Sequence, residues 1–319
     1  MASIGTRPLA EGLSWGARVA GVTIEALKDG TVRQQLQDIF ESRGLIVFEG
    51  VEPSQAMHLA ISGVYGPLKD HPVAVVERVD QETMPGVIDM RVSPEAGIVV
   101  EIDGVTQAAW LPWHFDHCYN NELNRAGVLR AVEVAPEGGL TGFIDGVQLY
   151  NDFSPELKRK IEGLSVLYTV DTSYEHMRFG LPRRFRNIRS GPGTEEIIEL
   201  AKTLPRAIHP AVWTRKSGEK VMHVSPWMSV GIEGHEDPEG DALLQAVCEE
   251  IEAKAKPYHH RWKPSDMLIW DNWRILHSVT GMAPDATRRM QRTTIKGDYG
   301  LGRFEGGQTA SHEVLEKTV

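Results

Sequence analysis

The sequence predicts a mainly β chain with flanking helices (α+β), built as a double-stranded β-helix, or jelly-roll barrel, that carries a helical and loop insertion. Three observations predict it. Short apolar or alternating runs bounded by turn residues cluster over 110–144 and return over 267–296. Between them, from about 150 to 262, lies a long stretch with helical spacing and polar loops. His114 and Asp116 stand on one side of that stretch and His277 on the other. These residue types can share one metal ion, so two distant strands must meet.

The elements follow in order. Val32, Leu36, Ile39 and Phe40 recur at helical spacing over 31–42; Gly44 stops that helix, and Leu45 to Phe48 reads as a buried strand. The apolar content of 73–107 (Val75, Val76, Val87, Ile88, Val99, Val100) fits either a lid or an extra edge hairpin. Strands are expected over 113–118, 128–134 and 141–144, separated by Asn120-Asn121 and by Pro136-Glu137-Gly138-Gly139. Ser154 caps a helix that starts with Pro155 and carries Leu157, Ile161 and Leu164. Residues 171–206 read as a basic loop with Arg178, Arg183, Arg184, Arg186 and Arg189, and 241–256 as a second amphipathic helix. His259 and His260 sit in a polar run and read as solvated. Strand character resumes at 267–270 and 293–296. Nothing reads as a linker, so residues 1–305 form one domain with a cupin-like barrel, and 306–319 a polar tail.

Composition narrows the function. A chain of 319 residues with 41% hydrophobic and 24% charged residues can bury a large core. The net charge of −10 argues against a nucleic-acid or anionic-membrane partner, since both call for a basic field. Two cysteines, Cys118 and Cys248, build no disulfide framework. No secretory signal and no membrane span are visible in the sequence, which places the protein in the cytoplasm by expectation. A small-molecule partner fits best, and the oligomeric state, homo-oligomer included, stays open.

The chemistry is carried by His114-Phe115-Asp116 and His277. In an extended strand, residues i and i+2 face the same way, about 6.6 Å apart. His114 and Asp116 therefore reach one metal, while Phe115 and His117 turn to the other side. Arg288 follows His277 by eleven residues and Arg292 by fifteen, so these two arginines share a strand face and Arg289 takes the opposite one. Thr141 lies in Gly138-Gly139-Leu140-Thr141.

In this order and spacing the chain resembles the taurine dioxygenase family of Fe(II)- and 2-oxoglutarate-dependent dioxygenases. The resemblance extends from Gly16-Ala17-Arg18 through Tyr65-Gly66-Pro67-Leu68 and His71-Pro72 to Trp270-Asp271-Asn272 and Asp298. It implies that His114, Asp116 and His277 hold Fe(II), and that Arg288, with the Thr141 hydroxyl, takes the distal carboxylate of 2-oxoglutarate. A planar guanidinium suits that task because it binds a carboxylate through two bonds and keeps its charge when desolvated. Arg292 is implied for the same co-substrate or for an anionic substrate head, and His71 for the substrate. The implied reaction consumes O2 and 2-oxoglutarate, releases succinate and CO2, and hydroxylates a small molecule. Trp273 stands where relatives carry arginine. Trp110 stands where taurine-specific members carry an amide, which with Tyr119 and Trp227 points to an anionic substrate with an apolar or aromatic body. Phe115 completes that bulky set, although alternation turns it from the metal.

Rival readings are desaturation, dealkylation or halogenation on the same scaffold, a zinc-dependent hydrolase, and a non-catalytic cupin-like binding protein. Halogenation needs a small residue in place of Asp116. A binding protein is expected to have lost a ligand or the co-substrate arginine, and none is lost.

Overall fold

The computed structural model describes residues 4–71, 76–80, 82 and 84–307; Val73, Val75 and most of the expected tail, 308–319, lie outside them. The chain is mainly β with a few helices. A nine-stranded sheet runs Gly5–Pro8, Ala17–Ala20, Leu45–Glu49, Met267–Asp271, Ala126–Glu133, Arg288–Ile295, Met84–Val92, Arg78–Asp80, with Leu68–Lys69 also on the Arg288 strand. Its pairings are antiparallel except Ala17–Ala20 against Leu45–Glu49. A smaller sheet runs Tyr258–His260, Thr141–Asp145, Ile275–Val279, Leu111–His114.

Alternation explains how the sheets stack. Ile46 and Phe48, with Met267 and Ile269, pack outward under two helices, Gly30–Arg43 and Gln55–Tyr65. Leu45, Val47, Leu268, Trp270 and Met290 point the other way and meet Phe143 and Ile275 of the smaller sheet. With both faces covered, Met267–Asp271 is buried at every position and reads as a continuous apolar run rather than an alternating one. Gly127 lies opposite Trp270, and a Cβ there would sit 2.4 Å from the indole, so only glycine lets that ring lie across the strand.

The helices begin and end where their caps demand. Asp29 accepts from the Thr31 N–H, and Gly44 ends the first helix with φ 75°. Ser154 caps Pro155–Ile161, which stops before Leu164. Asp237 caps Pro238–Lys254 through the N–H groups of Glu239 and Gly240, three residues earlier than the apolar stripe alone predicts. No helix among the described residues is long and apolar enough to cross a membrane.

Four expectations need correction. The hydrogen-bonded order gives two facing open sheets, with no ladder among the described residues closing them into a barrel. The strand expected over 113–118 is Leu111–His114; the chain then turns, with His117 at φ 60°. The basic loop of 171–206 contains a strand, Phe185–Arg189, which pairs with Val99–Ile102, and a helix, Thr194–Ala201; pairing to a distant edge overrides the polar composition. His260 is buried against Trp262, with ring centroids 4.6 Å apart, because the edge strand Tyr258–His260 turns it inward. Of the two options for 73–107, the structure builds strands. Met84–Val92 joins the large sheet, and Val99–Ile102 and Val105–Ala108 form a hairpin.

Candidate metal centre

His114 and His277 lie directly opposite each other on neighbouring antiparallel strands of the smaller sheet. That rung sets their rings 4.1 Å apart, centroid to centroid. Nδ1 of His114 lies 2.8 Å from the Pro112 carbonyl. A carbonyl only accepts, so Nδ1 carries the proton and Nε2 keeps its lone pair for a metal. Asp116 arrives from the turn beyond the strand, and its Oδ1 is 3.8 Å from His277 Nε2. One donor atom from each of the three lies within 4.8 Å of the others, and all three residues are buried.

The electrostatics suit a cation. Burial holds both His114 and His277 below the ordinary imidazole value and hence neutral. Burial alone would raise Asp116, but the Arg292 guanidinium beside it keeps the carboxyl below its usual range. Its Oδ2 is buried and has no partner among the described residues. Two neutral imidazoles and an ionised carboxylate with a free oxygen make a ligand set that fits Fe(II).

Beside the triad runs the strand Arg288–Ile295. Arg288 and Arg292 lie on the face that carries Met290 into the core between the sheets. Arg289 turns outward into an ion pair with Asp89, Nη2 to Oδ2 2.7 Å, where Arg91 also donates to Asp89. Arg288 is 8% exposed and has no carboxylate partner among the described residues; Nη2 lies 3.5 Å from Thr141 Oγ1. Desolvation lowers its pKa to about 10. The Gly138-Gly139 turn packs on its stem, and a Cβ on Gly139 would sit 3.2 Å from Arg288 Cδ. Thr141 Oγ1 also accepts from Trp262 Nε1 at 2.9 Å. Arg292 donates through Nη1 to Asp116 Oδ1 at 2.6 Å, while its Nε is buried and unpartnered.

The loop residues are less evenly placed. Trp227 stands edge-on to His114 at 5.0 Å, and its Nε1 is buried without a partner. His71 meets His117 edge-on at 5.1 Å, and His117 carries Tyr119 at 5.9 Å on its other side. Trp110 is one ring further out: it packs on Tyr174 and Phe185, and Tyr174 in turn meets Trp227 at 6.3 Å. It lines a cleft of about 780 Å³ on the outer side of the smaller sheet, together with Trp113, Ser278 and Glu252. Phe115 is fully buried and stacks on His223 at 3.9 Å, so it forms no part of the wall.

Two features escaped the reading of the sequence. Trp262 as a donor to Thr141 carries no local signal, because 121 residues separate them. Asn272, which bonds the backbone of Asp116, did carry one: it belongs to the Trp270-Asp271-Asn272 run that marks the family resemblance, although no role was read for it there.

Fold and triad together suit a mononuclear metal enzyme. The family model for the taurine catabolism dioxygenase TauD, TfdA family, matches residues 5–294, and the chain belongs to that family. It is 28% identical over 279 residues to the alpha-ketoglutarate-dependent 2,4-dichlorophenoxyacetate dioxygenase of Cupriavidus pinatubonensis (strain JMP 134), covering 86% of this chain and 91% of the relative. It is 26% identical over 290 residues to the (S)-phenoxypropionate/alpha-ketoglutarate-dioxygenase of Sphingobium herbicidovorans, covering 89% and 93%. The crystal structure of AAD-2 in complex with Mn(II) and N-oxalylglycine superposes with a TM-score of 0.69 at 20% identity, over 93% of this chain and 98% of that one. The protein is therefore an Fe(II)-, 2-oxoglutarate- and O2-dependent dioxygenase, an oxidoreductase. The hydrolase and binding-protein readings are set aside.

Proposed function

We propose that this dioxygenase hydroxylates an anionic molecule with an apolar or aromatic body, with roles divided along the strand Arg288–Ile295. His114, Asp116 and His277 hold Fe(II). Arg288 and the Thr141 hydroxyl take the distal carboxylate of 2-oxoglutarate. Arg292, on the Asp116 side, takes the acidic head of the substrate. Two facing sheets, with His114 and His277 on the smaller one, support the double-stranded β-helix reading.

One observation carries the assignment: Arg288 is a buried guanidinium with a hydroxyl but, among the described residues, no carboxylate beside it. A buried charge without a counterion is costly, and a dicarboxylate that arrives with a free end removes that cost. Arg292 differs, because Asp116 already engages one of its nitrogens. Its unpartnered Nε leaves a donor for a second anion. When bound, the metal couples loss of CO2 from 2-oxoglutarate, giving succinate, to oxidation of a substrate C–H bond. The chain's own share is to orient and to exclude water. Trp227 closes one side against His114, the His71–His117 pair borders the Asp116 side, and the two arginines hold the two carboxylates apart. Asp116 fills the position that a halogenase would need vacant, which supports hydroxylation.

2,4-Dichlorophenoxyacetate and (S)-phenoxypropionate, for which two relatives are named, each carry a carboxylate on an aryloxy body, which supports the reading. Succinate release across a panel of aryl and cycloalkyl carboxylates, alkyl sulfates and taurine tests the reading. Aryl or cycloalkyl carboxylates should lead the panel, and Arg292→Ala should lose that preference. Taurine as the best substrate, or neutral analogues used equally well by the parent enzyme, would overturn it.

A further inference from the structure

The three proposed ligands are not held alike. His114 and His277 are fixed by the backbone ladder between their strands. Asp116 stands two residues beyond the end of its strand, in a turn whose next residue, His117, has φ 60°. No strand is there to bond its N–H and C=O. The side chain of Asn272 does so instead. The Asp116 N–H donates to Asn272 Oδ1 at 2.8 Å, and Asn272 Nδ2 donates to the Asp116 carbonyl at 3.0 Å. One planar amide thus reproduces a rung of a ladder.

The orientation of that amide is itself determined. Asn124 Nδ2 donates to the Ala126 carbonyl at 3.2 Å, so Asn124 Oδ1 is left as an acceptor. It receives Asn272 Nδ2 at 3.1 Å, which turns the oxygen of Asn272 toward the Asp116 N–H. The backbone of Asn272 is anchored as well: its N–H donates to the Arg125 carbonyl, and its C=O receives His223 Nε2 at 3.0 Å. Asn272 and Asn124 are both fully buried, so no solvent competes for these bonds.

We infer that Asn272, oriented by Asn124, is a positioning residue that fixes the carboxylate of Asp116 in its metal-binding pose. The inference rests on the metal reading of the triad proposed above. No other side chain of this size serves. Aspartate lacks both donors and would set a negative charge against the Asp116 carbonyl. Leucine fills the space but leaves the N–H and C=O of Asp116 without partners. Removing a group that orients a metal ligand typically weakens metal binding about 10- to 100-fold.

The test is a titration of the full-length protein with Mn(II), read by the electron paramagnetic resonance of free Mn(II), alongside Co(II) absorption spectra and melting curves. Asn272→Ser should bind Mn(II) about 10- to 100-fold more weakly than the parent and should alter the Co(II) spectrum. Asn124→Ser, which removes the 3.1 Å side-chain bond and leaves Asn272 Nδ2 the Asn124 main-chain carbonyl at 3.3 Å, should shift both in the same direction by less. A melting temperature that falls while Mn(II) affinity and the Co(II) spectrum hold would make Asn272 merely structural and overturn the inference. If Asn272→Ser does not fold, an unchanged Mn(II) constant in Asn124→Ser would overturn it. A parent protein that binds neither metal sinks the metal reading itself, an outcome separable from both.

Discussion

One half of the site is made of strands and the other of turns. His114, His277, Thr141, Arg288 and Arg292 all sit on strands whose neighbours fix their register. Asp116, His117, Tyr119 and Trp227 sit in turns or loops, where Asn272 and the locked segment 225–229 do what a ladder does elsewhere. Met228 in that segment holds φ 68°, a left-handed conformation that the packing around it must enforce. On the proposed reading, the strand half supplies two of the three metal ligands and both arginines. The turn half supplies the third ligand, Asp116, and the rings around it. A ladder resists sequence change because its bonds are main-chain bonds. A turn held by side chains is open to re-specification.

The largest effect should come from the metal ligands. Asp116→Ala, His114→Ala or His277→Ala should each reduce succinate release to background, with far-UV circular dichroism unchanged; retained turnover in any of them would break the triad. Next comes Arg288→Ala. On the proposed reading this leaves the distal carboxylate of 2-oxoglutarate buried without its partner, a truncation that costs roughly 2–5 kcal/mol, so the KM for 2-oxoglutarate should rise tens- to thousands-fold while the choice of prime substrate stays the same. A comparable rise in Arg289→Ala would reverse the division of the strand's two faces.

Trp227 sharpens the contrast from the other side. Replacing it with alanine should raise the KM of an aryl carboxylate about two- to tenfold, the range of an aromatic contact worth roughly 0.5–1.5 kcal/mol, and leave 2-oxoglutarate binding alone. An effect on 2-oxoglutarate instead would mean that the turn half serves the co-substrate.

The smallest effect should be on stability alone. Arg289 and Arg91 face Asp89 on the outer side. Burial pushes the Asp89 carboxyl up, but the two arginines prevail and hold it below its ordinary value. A carboxylate depressed in the folded state contributes stability at pH above its unfolded value. That contribution fades as pH falls through the folded value. Arg289→Ala should thus lower the melting temperature by a few degrees at neutral pH and by less under acid, with kinetic constants unchanged. Equal losses at both pH values would mean that packing, not charge, is at stake.

The strand half was also the legible half. Alternation placed Arg288 and Arg292 on one face and Arg289 on the other. Helical spacing with Gly44 placed the first helix within a residue or two. The turn half resisted for physical reasons. The i to i+2 rule put His114 and Asp116 on one face of a continuous strand. They do converge, but through a turn, because His117 adopts a positive φ that no pattern rule foresees for histidine. Trp110 and Trp227 read alike in the sequence, yet only Trp227 touches a proposed ligand; the difference is set by Tyr174 and Phe185, far away in the chain. His260 looked solvated because burial of an edge-strand side chain depends on what lies beneath it, here Trp262.

The pairing of Phe143 with Tyr258 brings the two ends of a long excursion side by side. The chain leaves the smaller sheet after residue 145 and returns to an adjacent strand at residue 258, so the segment between has its ends already joined. Closing such a loop costs entropy that grows only with the logarithm of its length, about 0.6 kcal/mol per doubling. That excursion includes Trp227 and the helix Pro238–Lys254. Extra length in its exposed connections therefore costs little, whereas Leu149, Phe153, Ile161 and Tyr168 pack with Phe115, Ile144 and Leu276 in one core and tie the rest of the excursion to the sheet that carries the histidines. Its outer loops are thus the part that can vary in length while the ladder keeps its register.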